Sequence, residues 1–92
     1  MMKASTEQAA PKLNLSQPVF TDDEIQFTAF GLGWGFRAYA LPAGVVIDRL
    51  GAANASKRQL VLAFQVNRQR IAQAVLDADE PRTGERVILH II

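Results

Sequence analysis

Between Ser56 and Asp79 the chain runs without a glycine or a proline, and its apolar residues recur at helical spacing (SKRQLVLAFQVNRQRIAQAVLDAD). At 3.6 residues per turn this predicts one helix of about six turns. Ser56 has the side chain of an N-cap, and Gln59 stands where a capping box places Glu or Gln. Pro81 requires the helix to have ended before it. Projected on a wheel, Leu60, Phe64, Ile71, Val75 and Ala78 form one stripe. Val61, Ala63, Ala72 and Ala74 flank it, so the apolar face is wide enough to cover a sheet.

Two large aliphatics fall outside that stripe. Leu62 and Val66 lie on the opposite side with Gln69, Gln73, Arg70 and Asp77. Apolar neighbours four residues apart on a polar face need cover, either from another part of the same chain or from a second copy. Leu62, Val66, Gln69 and Gln73 are therefore the candidate interface. Arg68 is a misfit of the other kind, a cation inside the apolar stripe. Its stem can run along the core with the guanidinium at the edge, or its planar fork can meet a carboxylate. Asp22, Asp23, Glu24 and Asp48 are the carboxylates that turns could present, and an Arg68–Asp48 pair is the structural ion pair expected.

Charge along the long helix opposes its own macrodipole. Lys57 and Arg58 stand at the positive end, and Asp77 and Asp79 at the negative end. Such residues are expected to be paired with neighbours or kept for contact with another molecule.

Upstream, Ile25 to Phe30 alternates Ile25, Phe27, Ala29 against Gln26, Thr28, Phe30, and Phe36 to Leu41 alternates again. Two strands joined by Gly31, Gly33 and Gly35 read as a β-hairpin. The GLGWG run is not a phosphate loop, because its glycines are spaced GxGxG and a strand follows them instead of a helix. Asp22-Asp23-Glu24 reads as a solvated turn, since its spacing matches no calcium loop. Pro42 starts a short helix containing Val45, Val46, Ile47 and Leu50, and Gly51 ends it. Arg86 to Ile92 is a last strand, apolar on both faces and therefore expected inside the sheet. His90, the one histidine, has no neighbour in sequence to make it a base or a ligand, and reads as a structural imidazole.

These elements predict an α+β fold in the order β-β-α-α-β. An antiparallel or mixed sheet of three or four strands would carry a short helix and one long helix on one face. The expected organisation is a flexible N-terminal arm over 1–18, where Leu13–Leu15 could add a short edge strand, and a single domain over 19–92. With 92 residues there is room for one domain. The absence of cysteine excludes disulfides, thiolate metal sites and a thiol nucleophile. Net charge is +1, which argues against a field drawing the chain to nucleic acid or anionic lipid. No apolar run reaches membrane length, and no secretory leader is apparent, so a cytoplasmic location is expected.

The element order, with Phe27, the Leu50-Gly51-Ala52 helix end, Ala63-Phe64, Arg68, Ile71 and the closing Val87-Ile88-Leu89, resembles a small bacterial family, domain of unknown function 1488. The likeness spans Val19 to Ile92. It implies a compact α+β fold with helices against an antiparallel sheet, and brings no catalytic residue or substrate. Ala38 stands where similar members often carry a cysteine, so any role of that thiol does not apply to this chain.

No catalytic, cofactor or metal residues are singled out, and no enzyme activity is expected. The leading expectation is an uncharacterised non-catalytic interaction module whose partner is another protein or a second copy, met through Leu62 and Val66 or through an exposed sheet face. The alternative is a weak nucleic-acid-binding domain, using Lys57, Arg58, Arg70 and Arg37 for phosphates and Trp34 or Tyr39 for stacking.

Overall fold

A computed structural model describes residues 13–31, 35–78 and 85–91. The elements are β1 (Asn14–Leu15), β2 (Val19–Thr21), β3 (Glu24–Gly31), β4 (Gly35–Pro42), α1 (Ala43–Leu50), α2 (Lys57–Val66), α3 (Arg68–Asp77) and β5 (Arg86–Ile88). They make an α+β fold with a mixed five-stranded sheet and helices against one face.

The β3–β4 hairpin is the frame of the sheet, paired without interruption from Glu24↔Pro42 to Gly31↔Gly35. β1 and β2 share the other edge of β3, both antiparallel to it. β5 runs parallel to β4 and pairs with nothing else among the described residues. Among the described residues it is an edge strand and not the interior strand its composition suggested. Val87, Leu89 and Ile91 point into the core, while Arg86, Ile88 and His90 are exposed. A strand apolar on both sides need not have a strand on both sides.

The β2–β3 connection is the solvated acidic turn expected from Asp22-Asp23. Both residues have positive φ, 53° and 58°, and Thr21 pairs with Glu24 across them. Two successive positive φ values in a two-residue loop match the right-handed twist of the strands, and Asn-Gly suits them better than Asp-Asp. Asp23→Gly should therefore raise stability by roughly 0.5–1 kcal/mol in urea denaturation. An unchanged or lower midpoint would contradict this explanation of the turn.

Cross-strand register assigns the two faces. Ile25, Phe27 and Ala29 share the helix-covered side with Leu41 and Tyr39, and all five are buried. Phe27 stacks on Tyr39 at 5.8 Å between centroids and meets Phe64 of α2 at 5.2 Å. Leu60, Phe64, Ile71 and Val75 are each 0% exposed, so the predicted stripe covers the sheet. Burying each such side chain is worth about 1.5–3 kcal/mol.

The predicted six-turn helix is two helices, α2 and α3, joined at Asn67 (φ −107°, ψ 21°). No glycine or proline causes the break. The Asn67 Nδ2 group donates to the Ala63 carbonyl at 2.8 Å and to the Leu50 carbonyl at 3.1 Å. An asparagine amide competes locally with helical hydrogen bonding, and the carbonyl it captures on α1 is one that the end of a helix leaves open. Ile71 donates to the Asn67 carbonyl, so helical bonding resumes at once and both halves keep the same buried side. α1 itself ends as expected, with Gly51 in the left-handed region at φ 80°.

Of the expected arm, residues 1–12 lie outside the described residues. The remainder is tied to the sheet: the Ser16 amide donates to the Thr28 carbonyl, and the Thr28 amide donates to Ser16 Oγ, both at 2.8 Å.

Candidate interaction site

The expected Arg68–Asp48 ion pair does not form. Arg68 Nη1 donates to the Leu15 carbonyl at 3.0 Å, and Nη2 reaches the Ser16 carbonyl and Gln17 Oε1, each at 3.4 Å. Nε donates to Gln65 Oε1 at 2.6 Å, and the guanidinium lies 5.2 Å from the Phe64 ring centre. β1 brings carbonyls to the end of the stripe where the fork emerges, whereas Asp48 is exposed on α1. Arg68 is thus a clasp between the helical layer and the N-terminal strand.

Arg70 also serves the helical layer, donating from Nη1 to the Arg49 carbonyl at 2.6 Å. Together with Asn67 it closes the C-terminal end of α1, where cationic and amide donors suit the exposed carbonyls.

Leu62 and Val66 are 53% and 75% exposed, and nothing among the described residues covers them. Leu62 lines a shallow groove with Lys57, Arg58, Val61 and Gln65. Neither Lys57 nor Arg58 forms an ion pair among the described residues, so their unfavourable position at the helix N-terminus is not offset within the described fold. Gln69 and Gln73 are exposed too, but Gln73 turns toward Asp77, donating to its Oδ1 at 3.0 Å. It belongs to a second groove, so the four candidate interface residues do not share one cavity.

That second groove, about 600 Å³, lies between α3 and the last strand. Arg70, Gln73, Ala74, Asp77 and Ala78 line it from the helix, and Val87 to Ile91 from the strand, with Tyr39 also contributing. His90 lines it and is exposed, without a hydrogen bond among the described residues. The expectation of a satisfied structural imidazole is corrected: alternation with Val87, Leu89 and Ile91, which pack on the core, turns the His90 side chain outward.

The far face of the sheet carries a further apolar surface that the sequence pattern alone does not assign. Phe36 is 81% exposed, Val19 59% and Ile88 50%, and Phe30 stacks on Phe36 at 5.9 Å. Register puts all four on the side away from the helices. Their alternation with Phe27 and Tyr39 was the available signal. Arg86 lies across this face, donating from Nη1 to the Phe27 and Tyr39 carbonyls at 3.1 and 3.0 Å.

Of the two aromatics expected to stack on bases, Tyr39 is 1% exposed within the aromatic core, and Trp34 lies outside the described residues. Among the described residues no group of three or more His, Asp or Glu side chains could hold a metal ion. No helix of the described residues is long and apolar enough to cross a membrane.

No family model, curated protein or solved structure matches the chain. None of these comparisons supports the resemblance to domain of unknown function 1488.

Proposed function

We propose that this chain is a non-catalytic interaction module that associates with itself. The observation that carries the reading is the apolar surface that the described residues leave uncovered: Phe36, Val66, Val19, Leu62 and Ile88 are each at least half exposed. They are distributed over α2, the open sheet face and the β5 edge. Isolated exposed aliphatics are ordinary, but several on the faces of one small domain are what a contact surface provides.

The arrangement favours this reading over nucleic-acid binding. Lys57, Arg58 and Arg70 are on the helical layer, whereas the stacked pair Phe30–Phe36 is on the opposite face. A strand laid on the aromatics would not meet those cations, and phosphate neutralisation supplies most non-specific affinity.

Sedimentation velocity across a concentration series tests the proposal. The weight-average mass should rise above the monomer's 10.1 kDa in the micromolar range. A strict monomer at several hundred micromolar would remove self-association, and a salt-dependent mobility shift with single-stranded oligonucleotides would favour the alternative.

A further inference from the structure

The outward side of α2 changes its chemistry along its length. Its groove lies between two rows of residues four apart, Lys57-Val61-Gln65 and Arg58-Leu62, and Val66, 75% exposed, extends the second row. Side chains four apart stand one above the other on a helix, so each row is a ridge. The space between two such ridges is what receives a ridge of another helix. Two cations occupy its N-terminal end, and Val61, Leu62 and Val66 make the remainder aliphatic.

Both cations stand where helix stability disfavours them. The first turn of α2 contains no acidic residue, and neither Lys57 nor Arg58 meets a carboxylate among the described residues. The macrodipole adds positive charge at the same end. An occupant that placed carboxylates there would relieve this repulsion while its apolar side chains covered Leu62 and Val66.

This chain does not itself offer such an occupant. Among the described residues the exposed large apolar side chains are Val19, Phe36, Leu62, Val66 and Ile88, none of them on α1 or α3. The exposed row of α3, Gln69-Gln73-Asp77, is polar throughout. Residues 1–12 hold two lysines against one glutamate, and 79–84 hold two acids but no apolar side chain larger than proline. A bilayer surface also fits less well. It binds helices whose polar face is rich in cations along its length, whereas α2 has ten residues with both cations at one end.

We propose that the α2 groove docks an amphipathic helix of a different protein. Its acidic residues lie over Lys57 and Arg58, and its aliphatic ridge lies along Val61, Leu62 and Val66. The inference goes beyond self-association and does not depend on it. Charge selects the partner and its direction in the groove, and the aliphatic ridge supplies the buried surface.

Fluorescence anisotropy with two labelled peptides of about 18 residues tests it. Each carries a leucine ridge, with glutamates in its first or in its last turn. One of them should bind the full chain saturably, and its counterpart with lysine for glutamate should bind at least about tenfold more weakly. Lys57→Glu with Arg58→Glu should exchange that preference. The same double variant should keep or raise the urea midpoint, because it suits the helix dipole, so unfolding does not account for the exchange. Leu62→Ser with Val66→Ser should weaken binding of the glutamate peptide about tenfold.

No saturable binding of either glutamate peptide at several hundred micromolar, or equal binding of the lysine peptide, overturns the proposal. So does binding to phosphatidylglycerol vesicles that the same variants abolish, which would make a lipid surface the occupant. If Leu62→Ser with Val66→Ser lowers self-association of the chain alone in sedimentation, a second copy fills the groove and the proposal fails. A strict monomer that binds the glutamate peptide removes the self-association reading and supports this one.

Discussion

Phe64→Ala is expected to lower the unfolding free energy by about 3–5 kcal/mol. Phe64 is completely buried, meets Phe27 at 5.2 Å, and carries the Arg68 guanidinium on its other side. Removing the ring opens a cavity between the helical layer and the centre of the β3–β4 hairpin. Both walls are hydrogen-bonded elements that cannot collapse into it without moving the register. A domain of 92 residues has roughly 5–10 kcal/mol in total, so the variant should be near its midpoint at modest urea. Leu62→Ala, in the same helix but 53% exposed, should cost under about 1 kcal/mol. Equal losses from the two substitutions would mean that α2 does not present its Phe64 side to the sheet.

Arg68→Ala is expected to cost about 2–3 kcal/mol, and its effect should be localised. The guanidinium serves the Leu15 and Ser16 carbonyls and two glutamine side chains, and stacks on Phe64. Without it, part-buried carbonyls lose a charged donor, and the short β1 strand is left with its pairing to β3 and the packing of Leu13 and Leu15 on the core. Hydrogen exchange reads this out, because the Ser16 amide, bonded to Thr28, should lose protection before the β3–β4 amides do. Arg68→Lys should be intermediate, since an ammonium keeps the charge but cannot span two carbonyls as a fork does. If Ser16 stays protected in Arg68→Ala, the clasp role is wrong.

Much of the architecture is legible in the pattern of residues. Alternation from Ile25 to Phe30 and from Phe36 to Leu41 predicts the central hairpin, and Pro42 and Gly51 bracket the short helix because of what their backbones can and cannot do. The Leu60–Phe64–Ile71–Val75 stripe identifies the side of the helical layer that faces the sheet. These features are local: each depends on a period or on one residue's allowed dihedral angles.

The interaction surface is legible only in part. Leu62 and Val66 stand out on a polar helix face, and their exposure follows from the stripe opposite them. The groove beside β5 does not show in the sequence, since Arg70, Asp77 and His90 line one groove only in the folded chain. Nor does the open sheet face: Phe30 and Phe36 alternate with Phe27 and Tyr39, but alternation divides residues into two sets without saying which set the helices cover.

Periodicity and backbone preference thus determined the central hairpin, the short helix and the sheet-facing stripe of the helical layer, because these depend on neighbours a few positions away. Tertiary structure decided the rest. The helix divides at Asn67 because the Leu50 carbonyl, 17 residues earlier, comes within reach of its amide. Arg68 meets Leu15 and not Asp48 because β1 ends beside it. β5 became an edge because β1 and β2 both took the far side of β3. Each outcome turns on hydrogen-bonding groups distant in sequence, whose meeting depends on where whole elements pack.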